Sequence, residues 1–149
     1  MTYRNSLSLA VVAFALACPA GAALAQDAGT GEKWQSVAKT DNVEAFVNTS
    51  SITTVGGQLE ARVKQNYAAP QPAAKKGKTY LSSRSIFRFD CAGRQIGMKE
   101  LRFYDGADLQ GEAVGKATAS DKNMQWQPAE PRTVFGEVLD YVCKGAPAG

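Results

Sequence analysis

Much of the chain between residues 33 and 117 alternates apolar and polar positions with a period of two. Leu59, Ala61, Val63, Gln65 and Tyr67 interleave with Glu60, Arg62, Lys64 and Asn66, the pattern of a half-buried strand with a charged outer face. Gly56-Gly57 separates this run from Ser51 to Val55 and predicts a tight hairpin. Two further alternating runs, Tyr80 to Cys91 and Arg94 to Tyr104, flank Ala92-Gly93. Read as a two-residue turn, Ala92-Gly93 pairs Cys91 with Arg94, Phe89 with Ile96, Phe87 with Met98 and Leu81 with Tyr104. One face then collects Leu81, Phe87, Phe89, Cys91, Ile96, Met98 and Tyr104, and the other Arg84, Ile86, Arg88, Leu101 and Phe103. A register shift of one residue exchanges one strand's set between the faces. Shorter strands are expected at 33–38, 43–48 and 112–117.

The period changes near the C-terminus. Val134, Phe135, Val138, Leu139, Val142 and Cys143 form one apolar stripe of an amphipathic helix, with Pro131 before it and Gly145 after it as start and stop signals. A helix this short is not stable alone, so its stripe must pack on the sheet face that carries Cys91. The expected fold is therefore α+β: a multi-stranded antiparallel sheet with a C-terminal helix on one face.

The first 25 residues stand apart. Arg4, an apolar run from Leu7 to Ala17 and Ala23-Leu24-Ala25 have the order of a cleavable signal peptide, which predicts export and a mature chain beginning at Gln26. The apolar run is too short for a transmembrane anchor. Cys18 lacks the Leu-small-small triplet that precedes an acylated cysteine. Residues 26–32 read as a flexible lead-in, 33–145 as the folded domain and 146–149 as a flexible tail.

Export also resolves the cysteines. Cys18 leaves with the signal peptide, so Cys91 and Cys143 remain in an oxidising compartment and are expected to pair, fastening the helix to the sheet. The chain contains no histidine, which removes Ser-His-Asp and Cys-His catalysis and His-ligated zinc. No catalytic residue, metal or cofactor is expected. With Arg4 gone, 16 of the 17 basic residues face 14 acidic ones, too even a balance to imply nucleic acid.

Several markers occur in a fixed order: Trp34 and Val37, Ser51-Ile52 before Gly56-Gly57, Tyr67 before Pro70, and Tyr80 with Ser82-Ser83. They continue with Asp90-Cys91, Tyr104, Trp126 with Pro128, Pro131 and Cys143. In this order the chain resembles the bacterial surface-adhesin protein E-like family over residues 33 to 144. The resemblance implies the same sheet with a disulfide-tethered helix, and a surface protein that binds host extracellular-matrix or serum proteins and associates as a dimer.

Three sets of residues are candidates for contact. Lys75, Lys76 and Lys78, in a loop expected to run from Ala69 to Lys78, suit either a solvated connection or a basic contact for acidic glycans or proteins. The face with Arg84, Ile86, Arg88, Leu101 and Phe103 has no helix to cover it and is expected to meet a protein, most simply a second copy in a weak homodimer. Asp105-Gly106-Ala107-Asp108 reads as a turn, since it lacks the other ligands of a calcium loop. Trp34 and Trp126 are expected at the core or its edge. The sequence thus points to an exported cell-envelope binding module. Its alternative is a periplasmic structural or self-associating domain.

Overall fold

The computed structural model describes residues 31–145; the expected signal peptide, the expected Gln26 start, Cys18 and the expected tail at 146–149 lie outside them. The chain runs through β1 (Trp34–Lys39), β2 (Val43–Asn48), β3 (Thr53–Val55), β4 (Gln58–Pro72), β5 (Thr79–Asp90), β6 (Gln95–Tyr104), β7 (Ala113–Thr118), β8 (Trp126–Pro128) and α1 (Val134–Lys144). The strands form one antiparallel sheet ordered β1-β2-β4-β5-β6-β7, with β3 paired to β4 and β8 to β6. The expected α+β architecture is thus observed.

Alternation explains the core. Ala45 and Val47 of β2, Leu59, Ala61 and Val63 of β4, Phe87 and Phe89 of β5, and Ile96 of β6 are buried on one face. Val138, Leu139 and Val142 of α1 close over them. Burying each such side chain contributes about 1.5–3 kcal/mol, which is what holds an 11-residue helix that could not persist alone. The Thr133 hydroxyl caps α1 by accepting from the Gly136 N–H at 3.1 Å. The Cys91–Cys143 disulfide ties the β5–β6 turn to the last turn of the helix. Beside it, Arg94 Nη1 donates to Asp140 Oδ1 at 2.6 Å.

Two expectations are corrected here. The connection after β4 is shorter than Ala69 to Lys78, because β4 pairs with β5 as far as Pro72↔Thr79, leaving only 73–78 as a turn. Pro70 and Pro72 are tolerated because β2 ends its pairing at Tyr67, so their missing N–H groups face no neighbour on that side. The β5–β6 register is correct only near the turn. Phe89↔Ile96 and Phe87↔Met98 pair as expected, but a bulge follows, and beyond it Ile86 faces Glu100, Ser85 faces Leu101 and Ser83 faces Phe103. Tyr104 therefore pairs with Ser82 and leaves the core face, while Leu101 and Phe103 join it. Cys91 and Arg94 lie in the turn itself, outside the ladder.

Gly136 lies in the first turn of α1. An alanine within a helix ordinarily gains about 1 kcal/mol over glycine. Here a Cβ would run into the backbone carbonyl of Glu130, against which α1 is folded. Gly136→Ala is expected to lower stability by about 1–3 kcal/mol in urea unfolding. A stabilised variant would show that residues 130–133 yield freely.

Candidate functional site

The bulge in β6 divides the five residues expected to form one contact face. Lys99 and Glu100 are the two residues at the irregularity, and both send charged ends to the outer face. Lys99 Nζ lies 3.1 Å from Asp121 and 3.6 Å from Glu60, and Glu100 lies 2.8 Å from Arg102 and 3.8 Å from Arg84. An extra residue inverts the alternation beyond it. Arg84, Ile86 and Arg88 stay on the outer face; Leu101 and Phe103 turn to the helix side.

The outer face is ionic. Arg88 is buried and pairs with Glu60 at 3.1 Å and with Asp121 at 3.5 Å. Lys64, also buried, donates to Asp108 at 2.8 Å and lies over the rings of Phe46 and Trp34. Trp34 is thus half-buried at the edge of the domain on the face away from the helix, and Trp126, half-buried too, pairs with Gly97. Bonds from Lys64 and then Asn66 hold the Asp108 carboxyl below its ordinary range. The Asp105–Asp108 segment is a turn, with Asp105 Oδ1 accepting from the Glu112 N–H at 2.7 Å. Among the described residues, no group of three potential ligating side chains could hold a metal ion.

The helix-side face carries a feature that alternation alone did not reveal. α1 lies chiefly over β1 and β2, touches β4, β5 and β6 less, and sets the Phe135 ring 5.5 Å from that of Phe87. Beyond Phe135 the sheet is not covered by the helix. There Tyr67, Tyr80, Met98, Leu101, Phe103 and Phe135 line a groove of about 430 Å³. Its aromatic wall is continuous: Tyr80 is 5.2 Å from Tyr67, edge to face, and 4.3 Å from Phe103. Burial, with Tyr67 beside it, raises the Tyr80 phenol above its ordinary value, so it stays a neutral donor. Gln65 and Ser85 also line the groove and offer it polar groups. A mostly apolar concavity with a few polar groups and rigid aromatic walls is the form that binding sites commonly take.

The basic loop does not stand alone. Lys75 and Lys78 line a cavity of about 370 Å³ together with Arg102, Glu112 and Lys116, so the hairpin tip meets the outer face at its β7 edge.

A family model described as surface-adhesin protein E matches residues 34–144. Crystal form II of Haemophilus influenzae protein E superposes with a TM-score of 0.56 at 16% identity, covering 79% of this chain and 91% of that one. Another structure of the same protein gives 0.53 at 16% identity, covering 79% and 87%. At this identity the likeness speaks for the fold. No curated protein sequence matches the chain.

Proposed function

Because this chain belongs to the surface-adhesin protein E family, we propose that it is an exported, cell-surface binding module that recognises protein partners, host extracellular-matrix or serum proteins among them, through the groove beside α1. The observation that carries this reading is the aromatic wall of Tyr67, Tyr80 and Phe103 left uncovered by the helix. Aromatic side chains in a preformed groove are the groups that dominate binding energy at protein interfaces, because they bury large area and lose little conformational freedom. The outer face suits this role less: around Glu60 and Asp121 its charges are taken up in ion pairs with Arg88 and Lys99.

In this reading the expected weak homodimer moves with Leu101 and Phe103 to the groove. It no longer uses Arg84, Ile86, Arg88, Leu101 and Phe103 as one surface. The site needs no catalytic group, metal or cofactor.

Surface display is tested by protease treatment of intact cells. The protein is expected to be degraded on intact cells, with a mature mass beginning at Gln26. Protection that ends only when the outer membrane is permeabilised would return the periplasmic alternative.

A further inference from the structure

The outer face holds a second contact site of different chemistry. Arg84 of β5 is directly opposite Arg102 of β6, which is directly opposite Lys116 of β7. Like charges facing each other across strands are destabilising, yet three stand in register here. They share one carboxylate: Glu100 lies 3.8 Å from Arg84, 2.8 Å from Arg102 and 4.0 Å from Lys116. Across the cavity at the β7 edge stand Lys75 and Lys78 of the hairpin tip, with Lys76 next to Lys75 in the turn, and Glu112 lies 3.3 Å from Lys78.

The charge is segregated. Six cations, Arg84, Arg102, Lys116, Lys75, Lys76 and Lys78, face two carboxylates on this tract, whereas ten cations face eleven carboxylates over the other described residues. The domain's whole positive excess therefore lies in one tract. With strands about 4.8 Å apart, the three-strand row alone spans about 10 Å before the hairpin tip extends it.

We propose that this tract binds an extended sulfated polysaccharide. Cations spread over three strands and a hairpin tip suit anionic groups that recur along a chain, whereas a single phosphate or sulfate needs only one closed nest of donors. Arginine forks match the planar oxygen pairs of sulfate, and the hairpin lysines supply flexible point charges. A membrane surface fits less well, because the tip, Ala73-Ala74-Lys75-Lys76-Gly77-Lys78, has no aromatic or large aliphatic residue to anchor it in lipid.

The probe is a size-defined heparin octasaccharide, titrated into the mature protein by calorimetry. Binding is expected at low ionic strength, weakening about tenfold or more between 50 and 200 mM salt. Arg102→Gln with Lys116→Gln, and separately Lys75→Gln with Lys76→Gln, are each expected to weaken it about tenfold. Lys33→Gln with Lys122→Gln removes the same charge from exposed sites off the tract and is expected to change affinity less than twofold. Circular dichroism checks each fold, and the loop pair keeps the test open if the sheet pair destabilises the domain. Absence of binding at 50 mM salt, equal loss in the control pair, or tighter binding to phosphatidylglycerol vesicles than to the octasaccharide would overturn the proposal.

Discussion

Replacing both Cys91 and Cys143 with alanine is expected to lower the unfolding free energy by about 2–4 kcal/mol. The bond closes a separation of 52 residues, for which chain entropy alone gives about 4 kcal/mol. What the rest of the structure retains sets where the loss appears. Val138, Leu139 and Val142 still bury their side chains against the sheet, and Arg94 still donates to Asp140 across the same junction. The sheet should therefore persist while the last turn of α1 loosens. Urea unfolding of the double variant, with hydrogen exchange along α1, reads both effects. A midpoint equal to that of the wild type, with α1 equally protected, would show that the bond adds nothing to the buried stripe.

The elements that the sequence announced most clearly were those whose side chains satisfy one period without interruption. β2 begins and ends at the expected residues, and α1 extends the expected stripe only as far as Lys144. The bulge in β6 is legible too, in the phase of the alternation and not in the turn. Apolar residues sit at even positions at Ile96 and Met98 and at odd positions at Leu101 and Phe103, with two adjacent charges, Lys99 and Glu100, where the phase changes. An alternation that changes phase inside one strand is what an inserted residue leaves behind. A turn-based register carried through it placed Leu101 and Phe103 on the wrong face. β8 was missed because three residues bounded by Pro128 in a polar stretch carry no period. The long course of β4 was hidden by Pro70 and Pro72, which read as breakers until the end of β2 pairing showed that no neighbour needs their N–H. The groove depends on where the helix stops covering the sheet, and the basic tract on a hairpin tip folding back to β7. Both are long-range facts that local pattern does not hold.

The second large effect is on recognition. Leu101 is half-buried in the groove beside the aromatic wall. Leu101→Asp places a carboxylate where a partner's apolar groups would be covered, and a charge taken from water there without a counterion is strongly unfavourable. Affinity for a protein partner is expected to fall tenfold or more, the size of effect found for central anchors of an interface. Ile86→Asp makes the same chemical change on the opposite face, among Arg62, Arg84 and Glu100, where it gains cationic neighbours. Its effect on the same affinity is expected to be less than twofold. Any self-association through the groove should disappear from sedimentation of the Leu101 variant and persist in the Ile86 variant.

These two variants and the wild type, each confirmed folded by circular dichroism and titrated against a panel of purified extracellular-matrix and serum proteins, test the reading of this chain as a groove-binding adhesin most directly. The account predicts that the wild type binds at least one of them, that Leu101→Asp weakens that binding tenfold or more, and that Ile86→Asp leaves it intact. A wild type that binds none of the panel, or a pattern in which Ile86→Asp abolishes binding and Leu101→Asp spares it, would contradict it.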